Sequence, residues 1–377
     1  MLIGVDGNEA NTEKRVGSNL YAYDLLLALW RLKEAREHEW VVYLKNKPLA
    51  DMPEERGGWH YRVIKPGAFW TRVRLPLDLY FYRPRPAVFF SPGHYTPSRS
   101  FVPVVCAIMD LGYLRFPDQF LKRDLWQMTR WTAESLRRSV RVLAISESTK
   151  REIEQSYPGM GEKVVVTYLG YDREAFNKAI ARRDVDRVRK KYNLPKKYLV
   201  FVSTLKPSKN IEGLLVAFSG VVKKFPEVSL VICGKKGWMF GGIWKRVEEL
   251  NLKKRVIFTD YVPEGDLPGL LAGAWVLVLP SFWEGFGKTI PESMAVGTPV
   301  VASDVGSLPE VVGRAGVLID PYKIESIEEG LVKILTLSKE SYEGLASRGE
   351  AQAKKFDWEK CAKLTLNVLI EVGTKKE

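Results

Sequence analysis

At 377 residues the chain is too long for one ordinary hydrophobic core and long enough for two α/β domains. Apolar side chains make up 46% of it, which excludes a disordered chain, and no apolar run reaches the roughly 18 to 20 residues that span a bilayer. A formal net charge of +13 favours an anionic partner, such as a nucleotide, an acidic lipid surface or nucleic acid.

The chain opens on "MLIGVDG", an apolar strand without the basic flank of a secretion signal, so a cytoplasmic protein is expected. Short apolar runs follow: "LIGVD" (2–6), "WVVYL" (40–44), "AVFF" (87–90), "VPVVCAI" (102–108), "RVLAI" (141–145) and "KVVVTYL" (163–169). Apolar on both faces, they suit parallel strands covered by helices. Residues 62 to 85 carry six basic side chains against one acid, and "FWTRVRLPLDLYFYRPRP" (69–86) adds aromatic rings. The stretch 118–141 reads as one helix anchored by Leu121, Leu125, Met128 and Leu136, with Arg123, Arg130, Arg137 and Arg141 near helical spacing beside Trp126 and Trp131. Basic residues next to tryptophans suit a membrane surface; a solvated basic helix face is the plainer alternative. Cys106, Cys233 and Cys361 are far apart and odd in number, so they are expected as buried apolar side chains, with neither a disulfide framework nor a metal spacing.

A charged stretch without strand signal, 178–197, reads as a linker and entry helix. The expected division is a first domain 1–177 and a second domain 178–355, with a last helical stretch 356–377. The second half repeats the alternation with "YLVFVS" (198–203), "VSLVIC" (228–233), "RVIFTD" (255–260), "WVLVL" (275–279) and "PVVAS" (299–303). Its clearest helix is 210–225, with Asn210 at the expected N-cap. The fold class is α/β: two Rossmann-like, doubly wound parallel-sheet domains facing across a cleft, with ligands outside the carboxyl ends of the strands.

Three strand-to-helix loops of the second half carry polar groups. "STLKPSKN" (203–210) puts Lys206 and Lys209 at a helix N-terminus, where free amides and point charges suit a diphosphate; a solvated basic loop is the alternative. In "CGKKG" (233–237), Gly234 allows close backbone approach, a weak signal alone. In "PSFWEGFGKTIPE" (280–292), Gly285 and Gly287 bare the amides of Phe286, Gly287 and Lys288. Pro291 fits the first helical position, and Glu284 and Glu292 stand eight positions apart. Carboxylates accept only, so beside exposed amides they suit a ligand with several hydroxyls near phosphates, a nucleotide sugar. A helix-dipole role explains Glu292 alone, not Glu284 with the two glycines.

"EGFGKTIPE", with "SMAVGTPVVASDVGSLPEVVGRAGVLIDP" after it, resembles the E-x7-E signature of retaining glycosyltransferases of family 4, of the GT-B fold. The likeness continues through "VGSNLYAYDLLLAL", "VLAISESTKREI", "VVVTYLGYD", "TLKPSKN" and "TDYVPEGDLPGLLAGA", and covers about residues 3 to 370. The resemblance implies that Glu292 binds the ribose hydroxyls of the donor and Glu284 the donor sugar. Amides of Phe286, Gly287, Lys288 and Ile290 would hold sugar and phosphate oxygens, and Lys209 would neutralise the leaving diphosphate. Val262 would line the base pocket, and Gly17 would approach the phosphate from the first domain. It also implies retention at the anomeric carbon by front-face displacement, the departing phosphate oxygen taking the acceptor's proton. Catalysis would then be positioning plus electrostatic stabilisation, without cofactor or metal. The donor would be of UDP or GDP type, carrying a hexose or pentose. The acceptor would be a saccharide or lipid-linked, the enzyme peripheral on the cytoplasmic face of a membrane.

Two positions depart from the family. Many relatives end the strand of 102–108 in His-Asp, the histidine meeting the donor sugar; here the pair is Met109-Asp110, and a thioether neither donates nor titrates. An altered donor is expected, lacking a 6-hydroxyl or meeting it with another residue. His94, in "SPGHYTP", is either a partial replacement or a loop histidine without a catalytic part. Thr204 and Ser208 stand where relatives often carry arginines, so the leaving-group charge would rest on Lys209 with help from Lys206. The rivals are a non-hydrolysing nucleotide-sugar epimerase, which would need more acid–base residues than three histidines offer, and a non-catalytic nucleotide-binding protein. No nucleic-acid motif is present, and the two glutamates would repel a phosphate backbone.

Overall fold

The structure is a computed structural model and describes residues 1–235, 237 and 241–375, without the side chain of Ile180. Lys236 of "CGKKG" therefore lies outside the described residues. The chain forms two units, Met1–Gly170 with the segment from Asp357 onward, and Tyr171–Phe356.

In the first unit seven strands pair in parallel: β1 (Leu2–Asp6), β2 (Glu39–Leu44), β3 (Trp59–Val63), β4 (Val88–Ser91), β5 (Val104–Ile108), β6 (Arg141–Ala144) and β7 (Val164–Val166). Their order is β3-β2-β1-β4-β5-β6-β7, so the sense in which successive strands are added reverses between β1 and β4. β4 and β5 are buried along their whole length, which is why an unbroken apolar run folds there rather than an alternating one. The last helix, Trp358–Thr374, belongs to this unit. It packs on the helix Ser18–Arg31, with Trp358 6.0 Å from Tyr21, and Arg141 binds Glu371 at 2.7 Å.

The second unit holds a six-stranded parallel sheet of order β10-β9-β8-β11-β12-β13. Its strands are β8 (Tyr198–Val202), β9 (Ser229–Cys233), β10 (Val256–Asp260), β11 (Val276–Leu279), β12 (Val300–Ser303) and β13 (Val317–Ile319). The order of strand addition reverses between β8 and β11, the place where doubly wound sheets bind ligands beyond their strand ends. The charged stretch after residue 178 is a helix, Lys178–Lys191, packed on the helix Leu267–Ala272. Arg187, Lys191 and Tyr192 all reach the buried Asp266, at 2.5, 2.6 and 2.7 Å.

Three local expectations are corrected. The stretch 118–141 is not one helix: a 3-10 turn, Pro117–Gln119, precedes the helix Lys122–Arg138, and Arg141 already begins β6. Leu121 consequently sits ahead of the helix, exposed rather than anchoring it. The helix at the two glutamates starts at Thr289, so Pro291 is its third residue; no hydrogen bond is lost, because the first four helical amides lack intrahelical partners anyway. Asn210 does occupy the N-cap of the helix Ile211–Lys224, but in the left-handed region (φ 53°), and its amide donates to Pro321 O at 2.8 Å instead of capping. The three cysteines are free and buried.

Candidate functional site

The two loops beside the second sheet's reversal are tied together. Beyond β8 the chain makes a 3-10 turn, Pro207–Lys209, and the left-handed Asn210 then redirects it into the helix Ile211–Lys224. Beyond β11, Phe282 N–H donates to Ser208 O at 2.9 Å, so the two loops share a backbone bond. Lys209 is thereby held inward, only 8% exposed, with its ammonium 2.5 Å from Glu284 Oε1. Ser281 Oγ donates to the same oxygen at 2.8 Å, and Ser307 donates to Glu284 O from its hydroxyl at 3.0 Å and its amide at 3.3 Å. Glu284 Oε2 takes no hydrogen bond among the described residues. A sheltered ion pair with one carboxylate oxygen unspent can grip a hydroxyl while its cation faces an anion.

The next loop residues continue this arrangement. Gly287 sits at φ 79°, where a Cβ would press on Leu308. Phe286 is buried edge-on against Phe356, ring centres 5.3 Å apart, and Ile290 is fully buried behind it. Glu292 lies in the first turn of the helix Thr289–Ala295, 5% exposed, with its carboxylate 3.7 Å from the Lys288 ammonium. Across the reversal, Gly234 has φ 152°, and a Cβ there would run into the carbonyl of Ser203; its own N–H donates to Asp260 O at 2.9 Å. The Thr204–Lys206 loop therefore lies against β9 with no side chain between, Leu205 N–H bonding Lys235 O at 2.9 Å. Val262, just after β10, is buried.

Of the expected first-unit residues, His94, Met109 and Asp110 follow strand ends, and Gly17 opens a helix. His94, beyond β4, accepts the Met109 N–H on Nε2 at 3.0 Å, which places its proton on Nδ1. Burial pushes the imidazole below its ordinary pKa, against the pull of Asp110, so it is neutral at pH 7. Thr149 Oγ1 donates to Met109 O at 3.0 Å, and Asp110 Oδ1 accepts the Gly112 N–H at 2.8 Å. Gly17 is the N-cap of the helix Ser18–Arg31, with φ 56°. The structure thus joins Lys209 to Glu284, Lys288 to Glu292 and His94 to Met109, with Asp110 in electrostatic reach of His94, while Gly17 joins none of these pairs.

Sequence reasoning passes over a polar cluster at the end of β1. Burial lifts Asp6 to about 6, although Asn8 donates to its Oδ1 from its amide at 3.0 Å and its side chain at 2.7 Å. Glu9 Oε2 accepts from Asn19 at 2.6 Å and Ser18 at 3.3 Å. The available signal was "DGNE" directly after a buried strand, where polar side chains collect at a sheet's ligand-binding edge.

The profile of the family described as glycosyl transferases group 1 matches residues 183–352. The O-antigen chain mannosyltransferase B of Escherichia coli is 33% identical over 283 residues, covering 74% of this chain and 73% of that protein. The chain belongs to the group 1 glycosyltransferases. Another relative of this glycosyltransferase, the serotype-specific mannosyltransferase WbdA of Escherichia coli, is 26% identical over 228 residues; the match spans 60% of the chain but 28% of WbdA. Among solved structures, Anabaena HepE in complex with UDP and glucose aligns with a TM-score of 0.74 at 19% identity, over 98% of this chain and 99% of that one. WaaG, a glycosyltransferase involved in lipopolysaccharide biosynthesis, aligns with a TM-score of 0.71 at 14% identity over the whole of both chains. At such identities the likeness concerns the fold, which is GT-B, as the resemblance implies.

Proposed function

We propose that this glycosyltransferase moves a hexosyl group, mannosyl by the example of its named relatives, from a UDP- or GDP-type sugar to a saccharide acceptor, free or lipid-linked, with retention at the anomeric carbon. The observation that carries the reading is the sheltered Lys209–Glu284 pair at the sheet reversal, with Glu284 Oε2 unspent. Lys209 stabilises the departing diphosphate, with Lys206 and Thr204 beside it, and Glu284 orients the sugar by its free oxygen. Glu292 takes the ribose hydroxyls. The amides of Phe286 to Lys288 and of Ile290 take sugar and phosphate oxygens, Val262 and Gly234 shape the base side, and Gly17 approaches the phosphate. No metal is needed in this scheme, since ammonium groups and amide dipoles carry the charge. The leaving phosphate oxygen takes the acceptor's proton as the new glycosidic bond forms on the same face.

His94 stands in for the family's histidine: its ring already rests on the backbone of position 109, where that side chain would begin. The substitution moves the imidazole without removing it, which favours an ordinary hexose over a 6-deoxy sugar or pentose. The basic first unit suits an acceptor presented at the cytoplasmic face of a membrane, in polysaccharide or glycolipid synthesis.

The test is a melting scan with UDP, GDP and their sugars. A ligand at a hundred times its Kd adds about 2.7 kcal/mol of stability. The matching donor should raise the Tm of the wild type, and Glu292→Gln should erase most of that shift. No shift with any nucleotide sugar would overturn the donor site, and an inverted anomeric configuration in the product would overturn retention.

A further inference from the structure

One helix of the first unit turns an apolar face to solvent. Phe69, in left-handed backbone at φ 52°, leads into a π turn, Trp70–Arg74, which continues as the helix Leu75–Phe81. Trp70, Leu75 and Leu79 fill the core with Tyr43 and Phe89, so the opposite face has no core left to enter. That face carries Phe69, Val73, Leu77 and Phe81, each four residues on from the last and all exposed, Phe69 and Phe81 at 79% and 71%. Through the turn and helix such spacing stacks Val73, Leu77 and Phe81 into a stripe, and the exposed Phe69 leads into it. Tyr80 and Phe101 extend it, their rings 4.4 Å apart.

Cations ring this stripe. The one acid between residues 62 and 85, Asp78, is bound twice by Arg62, at 2.6 and 2.8 Å. Arg83 and Arg85 donate instead to the carbonyls of Tyr80 and Tyr82 at the helix end, at 2.6 to 3.2 Å, which holds two uncancelled positive charges beside the rings. Arg74, where the π turn meets the helix, and Lys65, in the segment leading into it, are exposed. The helix Lys122–Arg138, also basic, differs: Arg130 and Arg138 both spend charge on Glu134, and Trp131 lies under Arg72.

We propose that the stripe from Phe69 to Phe81 docks on an anionic lipid surface. Its rings enter the boundary between headgroups and acyl chains while Lys65, Arg74, Arg83 and Arg85 meet lipid phosphates. Charge complementarity selects this occupant, because a second copy would bring the same cations face to face. The inference rests on the membrane part of the reading above and leaves the donor site untouched.

The experiment is co-sedimentation of the full chain with vesicles of phosphatidylcholine, alone or mixed with phosphatidylglycerol. The wild type should bind the anionic vesicles and release as salt rises. Phe69→Ser/Leu77→Ser/Phe81→Ser should weaken binding at least about tenfold, and Arg74→Gln about fivefold, the effect of one basic residue near a charged surface. All these side chains are exposed, so the Tm and its shift with nucleotide sugars should not change. Triple-variant binding equal to wild type would overturn the stripe and leave the membrane reading standing. No wild-type binding to anionic vesicles would overturn both, while the nucleotide-sugar shift judges the donor site separately. Loss of wild-type self-association in the triple variant, by sedimentation velocity, would give the stripe to a second copy and overturn the proposal.

Discussion

Replacing Lys209 by methionine keeps the buried stem and removes the charge beside Glu284. The two side chains are 10% and 13% exposed, with 2.5 Å between charged atoms. Breaking a buried pair costs about 3 to 5 kcal/mol, because the partner stays charged and unpaired. Ser281 still donates to Glu284 Oε1, so the lower end, about 3 kcal/mol, applies here. In a unit of this size each kcal/mol moves the Tm by roughly 2 to 4 °C, so a fall of about 6 to 12 °C is expected. Glu284→Gln in the same chain removes the stranded charge, and the double variant should regain most of the loss. Turnover should behave differently: both variants should lose about 10²-fold or more, the scale of one transition-state donor. The assay is a double-mutant cycle read twice, by thermal melt and by sugar transfer under saturating donor. A single variant as stable as wild type would refute the buried-pair argument. Near-normal transfer in folded Lys209→Met would refute its part in the reaction.

Gly234→Ala should destabilise the second unit by about 3 kcal/mol or more, since φ 152° disfavours any side chain and the clash is with the Ser203 backbone, which cannot swing aside; an unchanged urea midpoint would refute this. Burial pushes the Asp266 carboxyl up, but hydrogen bonds from Lys191, Arg187 and Tyr192 outweigh it and hold the group at about 2. A depressed carboxyl pKa stabilises above the unfolded value, about 3.9, and that share is lost as pH falls through the folded value. Asp266→Asn should therefore be less stable than wild type at pH 7, and the gap should close between about pH 4 and 2; a constant gap in denaturant titrations would refute the assignment.

Much of the fold is legible because parallel strands buried on both faces are written as unbroken apolar runs, as in "VPVVCAI" and "WVLVL". The two strands that pattern reading passes over are both sheet edges. β3, "WHYRV", interleaves His60 and Arg62 because one side meets solvent, and β13 is only three residues long. The acidic pair was legible from its glycines and its spacing. That Lys209 would meet Glu284 was not, since they are 75 residues apart and only the adjacency of β8 and β11 joins them. His94 on Met109 is the same case: its partner lies on the neighbouring strand end, 15 residues away. Leu121 was misjudged, and the left-handed turn of Asn210 at its correctly placed N-cap was missed, because periodicity says nothing about where a backbone turns.

The helix Trp358–Thr374 sends Cys361, Leu366 and Leu369 into the core of the first unit, and Gly170 has no Cβ to obstruct the backbone of Trp358. Residues 171–356 are thus a complete body inserted into another. On a ribosome the inserted body can finish folding while its host still lacks a wall. The first unit gains its last stabilising contacts only when the closing helix emerges, so it is the later of the two to become durable, despite being made first.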